Sequence, residues 1–357
     1  MKQITFHCET ITPMFLAGAD GKTPELRPSA VKGALRFWWR AMNSNLSNEA
    51  LLQEEEQIFG GVRHKAIKSP LLVSVSHPKF ETIHPKSAYE KEVYDGIAYL
   101  FYSMIHFGNG REGISPGTKF DIVLRSRSEE VLKKGAACMW LLAFLGGIGS
   151  RARRGGGNFY VNAIDDNANL LDNSGLRYFP IENEIIDDFL KSNYLSLKTL
   201  LHQQQNGRNL NEFSNLVHSK LYTSPSGKDD WRDILNEFGS NLKNFRLNEN
   251  NRANLKWFES AAFGLPVRHK NFNVTPLNTE RRASPLNTER RASSLIFRIV
   301  KFRNSYYWII CHLNGDFLKK NHEGNDIETD RKQGWTKLKI LDAFLNHLQN
   351  KSTIILQ

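Results

Sequence analysis

Polar and apolar residues alternate over Gln3 to Ile11, with Ile4, Phe6 and Cys8 on one face, and this period of two predicts a strand. A loop containing Gly and Pro, Thr12 to Arg27, leads to Pro28 and Ser29, which open a helix running to about Met42. Ser47 to Ile58 predicts a shorter helix, stopped at Gly60 and Gly61. Apolar runs at Pro70–Ser76 and Lys119–Leu124 read as strands. Ser128 to Leu145 is a second strong helix, with Ser128 placed to cap it and Glu129 and Glu130 in its first turn. Asn158 to Ile164 predicts a fourth strand.

The order is β-α-β-β-α-β, the ferredoxin-like (RRM-like) arrangement of four antiparallel strands with two helices on one face. The end of the chain offers most of a second copy. Leu295–Arg303 and Tyr306–Leu313 read as paired strands, Trp335–Leu348 as an amphipathic helix and Thr353–Leu356 as a short last strand. Gly175 to about Asn254 is polar and helix-rich, including Gln203 to Asn206, and reads as an insertion. The expected fold is therefore α+β, with two tandem ferredoxin-like domains. Residues 1–170 form the first, 171–260 a helical linking region, and 261–357 the second, which part of the middle region would help to complete. Within that region Pro276–Ser284 is followed at once by the same nine residues, Pro285–Ser293. Two copies do not make a solenoid, so a tandem duplication in a tolerant loop is the simpler reading.

Charge adds a partner to this picture. The 357 residues carry 48 Lys and Arg against 37 Asp and Glu, a net charge of +11. The excess is concentrated between Arg246 and Arg303, where 12 basic residues meet four acidic ones. Clustered cations suit a polyanion, because phosphate contacts release counterions, though a solvated basic surface is the plainer alternative. No apolar run approaches the ~20 residues of a membrane span, and the N-terminus lacks a signal peptide's apolar stretch. Cys8, Cys138 and Cys311 lie far apart in apolar contexts, so neither a disulfide framework nor a zinc site is indicated. A cytoplasmic protein without metal or cofactor is expected.

Two motifs could hold phosphate. On the first helix Val31, Leu35, Trp38 and Met42 share an apolar side, while Lys32, Arg36 and Arg40 form a basic stripe at i, i+4 and i+8. Trp39 lies between the two and would either pack or stack on a base. In Gly146–Gly157, six glycines surround Arg151, Arg153 and Arg154 with no acidic residue. Glycines such as Gly149 let backbone N–H groups approach a ligand, and guanidinium groups grip phosphate in pairs. The segment follows a helix and precedes a strand, the reverse of a P-loop or dinucleotide motif. A surface loop of this kind would add little to folding through its arginines.

Catalytic patterns are sparse. None of the 11 histidines pairs with another at i+3 or i+4, and no G-x-S-x-G elbow occurs. Asp165–Asp166 and Asp187–Asp188 read as loop or helix-start carboxylates. His7, in the first strand, is a candidate general base for RNA cleavage, with a structural role as the alternative.

Together these residues resemble the RAMP superfamily of CRISPR-associated proteins. Ile11–Ala19 and Glu25–Arg40 are similar to the opening of the first Cmr subunit of type III-B effector complexes. Glu56–Gly61, the arginine loop, Phe263–Pro266 and Arg281–Leu286 continue the match in order. The duplication is the departure: Arg281 and Arg282 fit the family pattern by letter, Arg290 and Arg291 by position before the strand at Leu295. The resemblance implies an RNA-binding subunit that works in antiviral defence. It would contact guide or target RNA near the guide's 3′ end, beside other Cmr subunits. It implies no nuclease activity here, with a metal-independent endoribonuclease that processes guide RNA as the alternative. The implied RNA-binding residues are Lys32, Arg36, Trp39, Arg40, Gly149, Arg151, Arg153, Arg154, Arg281, Arg282, Arg290 and Arg291.

Overall fold

The computed structural model describes residues 1–62, 66–77, 79–106, 111–201, 214–247, 263, 267–269, 272–274, 293–315, 337–348 and 351–355. Its first elements, β1 (Lys2–Thr10), α1 (Pro28–Met42), α2 (Asn48–Phe59) and β2 (Leu72–Ser76), follow the sequence pattern closely. Pro28 sits in the first turn of α1, and the Ser47 side chain accepts the Ala50 N–H to cap α2. The next stretch carried no expected element. It holds β3 (Thr82–Ile83), α3 (Pro85–Ala88), α4 (Asp95–Leu100), α5 (Tyr102–His106) and β4 (Gly113–Ile114), each too short for periodicity to show. Then come β5 (Lys119–Ser126), α6 (Glu129–Leu145) with Ser128 capping as expected, and β6 (Phe159–Asp165).

The remaining elements are α7 (Ile186–Leu201), β7 (Asn215–Thr223), α8 (Trp231–Leu247), β8 (Val267–His269), β9 (Phe272–Val274), β10 (Leu295–Phe302), β11 (Ser305–Asn314), α9 (Lys337–His347) and β12 (Ser352–Ile355). Two four-stranded antiparallel sheets result, ordered β2-β5-β1-β6 and β10-β11-β7-β12. The middle of the chain is thus more than helical. It supplies β7, an inner strand of the second sheet, paired to β11 on one side and β12 on the other.

The layers stack as sheet, helices, sheet, helices. On β1 the alternation puts Ile4, Phe6 and Cys8 inward and leaves His7 and Glu9 facing out opposite Asp121 and Lys119. Helices α1 and α6 cover the inner face of the first sheet and also pack against β7, β10 and β11 of the second. Helix α6 is buried around its circumference, from Leu132 to Leu145, as its run of Ala and Leu requires. The other face of the second sheet meets α8 and α9: Leu295, Phe297 and Ile299 of β10 join Leu235, Phe238, Phe344 and Leu345. Ile296 and Val300, alternating with them, point back toward α6. Strand β10 is therefore covered on both faces.

Two contacts fix this stack. Arg298 of β10 is fully buried, yet points into the α6 layer. Its guanidinium donates to the carbonyl oxygens of Leu142 at 3.1 Å, of Gly146 and of Phe159, closing the C-terminal end of α6 where helix carbonyls lack partners. Elsewhere α4 crosses α8 at Gly96 and Gly239. A Cβ on Gly239 would lie 2.1 Å from the Gly96 oxygen, and one on Gly96 would lie 2.0 Å from the Asn236 oxygen. Only glycine admits backbones this close.

Candidate nucleic-acid interface

The basic stripe on α1 forms as expected and is organised by a residue the sequence did not single out. Glu55, on α2, has a side chain only 1% exposed. It accepts Arg36 Nε at 2.5 Å and Arg40 Nη2 at 2.8 Å, with a further bond to Arg40 Nε. This bond holds the Arg40 guanidinium above its ordinary value against the opposing effect of burial. Lys32 Nζ donates to Ser69 Oγ at 2.7 Å, and burial, helped by the nearby Arg36 charge, lowers its pKa. Arg36 and Arg40 keep about a third or more of their side chains in solvent, at 35% and 43%. One carboxylate thus orients two half-buried guanidinium groups and leaves the stripe net cationic, a pre-organised fork for phosphate.

Trp39 does not belong to that surface. It is 1% exposed, because α1 is covered on two sides by α2 and α6 together with β7. Its ring packs in the core and offers no face to a base.

The glycine-rich segment 146–157 is not an open loop. Ile148 N–H donates to the Gly157 oxygen at 3.0 Å, Ser150 N–H to the Phe15 oxygen at 2.8 Å and Gly157 N–H to the Pro13 oxygen at 2.8 Å. Gly149 has φ +97°, and a Cβ there would come within 2.6 Å of the Phe15 oxygen, so the glycine serves approach to protein backbone. Arg151, itself at φ +65°, donates Nε to Ser103 Oγ at 3.0 Å.

The next two arginines bind the halves of the chain together. Arg153 donates to the Ser293 oxygen and lies 5.3 Å over the Phe37 ring, and its own carbonyl accepts the Phe297 N–H at 3.2 Å. Arg154 Nη2 donates to the Phe263 oxygen at 2.8 Å. Burial pulls both guanidinium groups down to about 10, which leaves them cationic at neutral pH. The expectation of exposed arginines with no part in folding is corrected for Arg153 and Arg154. Arg281, Arg282, Arg290 and Arg291 lie outside the described residues.

The candidate general base is also changed by its setting. His7 Nδ1 is 2.8 Å from Asp121 and Nε2 is 3.0 Å from Asp165, and Ser76 Oγ donates to Asp121 at 3.1 Å. Hydrogen bonds to Asp165 and then Asp121 raise the His7 pKa. Both ring nitrogens face carboxylates, and a doubly protonated ring can donate to both, which is why protonation is favoured relative to a free imidazole. Its visible role is to tie β5, β1 and β6 across the outer face. Among the described residues no group of three or more His, Cys, Asp or Glu side chains is arranged to hold a metal ion. Nor, among them, is any helix long and apolar enough to cross a membrane. The three cysteines are buried and unpaired.

Comparison with known proteins fits this geometry. The family model of the RAMP superfamily matches residues 7–160. Cmr subunit Cmr1-1 of Pyrococcus furiosus is 29% identical over 278 residues, spanning 73% of this chain and 76% of that protein. Cmr1-2 of the same organism is 32% identical over 183 residues, spanning 46% of this chain and 97% of the relative. The crystal structure of Cmr1 from Pyrococcus furiosus, in its apo form, superposes with a TM-score of 0.68 at 22% identity, over 99% of this chain and 98% of that one. A chain of the type III-B Cmr-beta complex, seen by cryo-EM bound to cognate target RNA, gives 0.57 at 13% identity, over 97% and 99%. The chain therefore belongs to the Cmr1 family of CRISPR Cmr subunits, within the RAMP superfamily.

Proposed function

We propose that this chain is a non-catalytic, RNA-binding subunit of a type III-B CRISPR effector complex, acting in the cytoplasm in antiviral defence. Its partners would be guide RNA, target RNA near the guide's 3′ end, and the other Cmr subunits. Base pairing between the RNA strands would supply specificity, and the protein would hold backbone. The two sheets fit a pair of tandem ferredoxin-like units, the first within residues 1–170 and the second built from β7 onward.

The observation that carries the reading is the Lys32, Arg36 and Arg40 stripe ordered by buried Glu55, in a member of the Cmr1 family. Arg151, at the entrance to the packed loop, adds a further cation. Arg153 and Arg154 reach RNA in this scheme only by holding the interface in shape. The contacts of His7 with Asp121 and Asp165 count against the endoribonuclease alternative, which would need this residue as its base.

The test is a titration of the full chain with single-stranded RNA at several salt concentrations. Log affinity should fall against log salt with a slope of about −0.7 per phosphate neutralised. Lys32→Gln, which leaves the Glu55 cluster intact, should make that slope shallower. Salt-independent binding would refute the electrostatic account, and RNA cleavage abolished by His7→Ala would promote the alternative.

A further inference from the structure

Strands β6 and β10 are both sheet edges, and they lie side by side. At one end they are stitched together: Ile299 N–H donates to Asn158 Oδ1 at 2.9 Å, and Arg298 to the Phe159 oxygen. Beyond that point residues of both strands line a cleft of about 330 Å³. Tyr178 to Pro180 and, from α6, Ala143 and Phe144 line it as well. No wall belongs to α1 or to residues 146–157.

The cleft has a definite chemistry. Tyr160 forms one side, and Phe179, 45% exposed, stands at the rim. Lys301 Nζ sits 4.5 Å over the Tyr160 ring and 3.3 Å from its hydroxyl oxygen. Arg303 lies next to it, donating Nη2 to the Ile181 oxygen at 2.9 Å. Neither cation meets a carboxylate within ion-pair distance among the described residues. Glu9 hydrogen-bonds Tyr160 and touches Asn162 from the β1 side without lining the cleft, and Glu184, held by Arg177, also feels the Arg303 charge. Asn304 and Asn162 place amide donors and acceptors along the same walls.

We infer that this cleft between the two sheet edges is a nucleotide pocket, taking one base of a single-stranded RNA with its phosphate against Lys301 and Arg303. A flat base can stack on the exposed Phe179 ring, where stacking is sequence-tolerant, while Lys301 covers one face of Tyr160 and carries its charge into the cleft. Edge strands present backbone N–H and C=O groups that can bond a base's polar rim. Two cations at the mouth select an anionic ligand over a neutral aromatic side chain of a partner protein. The inference rests on the RNA-binding reading and adds to it a contact remote from the α1 stripe.

The test uses the full chain with a short 4-thiouridine-substituted RNA, cross-linked by light and mapped by mass spectrometry, with AMP as a second probe. Cross-links are expected at Tyr160 or Phe179. Phe179→Ala should weaken RNA binding by about 5-fold or more, the scale of losing one stacked base. Arg303→Gln should weaken it too. Neither change should shift the melting temperature much, because both side chains are exposed.

Cross-links confined to α1 and residues 146–157, with Phe179→Ala binding unchanged, would overturn the pocket and leave the RNA-binding reading standing. A wild-type chain that bound no RNA would fail that reading, and AMP would then decide the pocket alone. Saturable AMP binding lost in Phe179→Ala supports it, and no AMP binding overturns it. In the assembled complex, cross-links from the cleft to another subunit and none to RNA would overturn it in favour of a protein contact.

Discussion

Arg298 is the residue whose removal should disturb this molecule most for its size. Its guanidinium is buried with no carboxylate partner among the described residues, and burial pulls its pKa down to about 9. The cost of that desolvation is offset by bonds to the carbonyls of Leu142, Gly146 and Phe159 and by the Phe159 ring 5.4 Å away. Arg298→Met keeps the apolar stem and removes the desolvation cost, but it leaves three buried acceptors without their donor. Each such orphan costs about 1–3 kcal/mol.

Two of the three keep another bond, since Leu142 also accepts the Gly146 N–H and Gly146 also accepts Asn158 Nδ2. The lower part of the range therefore applies, and the net loss should be about 3–5 kcal/mol. At roughly 2–4 °C per kcal/mol for a body of this size, the melting temperature should fall by about 6–20 °C. Arg298→Lys should lie between, because one ammonium cannot span three carbonyls. Thermal unfolding followed by circular dichroism or calorimetry reads the effect. A Met variant melting within about 2 °C of wild type would refute the claim that this cation ties α6 to both sheets.

Three further outcomes follow from the same geometry. Arg153→Ala combined with Arg154→Ala should lower stability by about 3 kcal/mol, since two charged donors leave buried carbonyls; chemical denaturation with an unchanged midpoint would restore the picture of a free loop. The raised His7 pKa means that protonated His7 stabilises the fold, fully below its ordinary 6.5 and progressively less as pH rises through the folded value. The stability gap between wild type and His7→Asn should therefore be wider at pH 5.5 than at pH 9, by less than about 1 kcal/mol at this partly exposed site; a gap that widens with pH would contradict it. Gly239→Ala should destabilise by about 1–3 kcal/mol despite alanine's better helix propensity, because its Cβ would strike the Gly96 carbonyl; a neutral melt would show that α4 and α8 can part freely.

What the sequence disclosed and what it concealed divide along physical lines. Strands β1 and β5 were legible because one face of their sheet meets solvent, so burial imposes a period of two. Helices α1 and α6 carried Pro28 and Ser128 at their starts. Strand β7 was hidden: Leu221 and Tyr222 enter cores on opposite faces, and His218 at φ +56° breaks the alternation. Arg298 was unreadable for a related reason, since a lone arginine in an apolar strand implies a wet face where the fold provides a second core. Of the candidate interface, the α1 stripe was visible in its spacing, but its organiser Glu55 was not, because nothing local marks a carboxylate as buried. The glycines of 146–157 predict close approach of backbone to a ligand. What approaches them is the chain's own backbone, which only tertiary structure can specify.

The shared helical layer also bears on how such a molecule can be taken apart. Because α1 and α6 serve two sheets at once, cutting the chain between β6 and β7 would strip cover from both products. The N-terminal fragment would bare the helix flanks that β10 and β11 now shield, and the C-terminal fragment would present Ile296, Val300, Ile309 and Cys311 as a continuous greasy plane. Neither piece is an autonomous module to be swapped or shuffled.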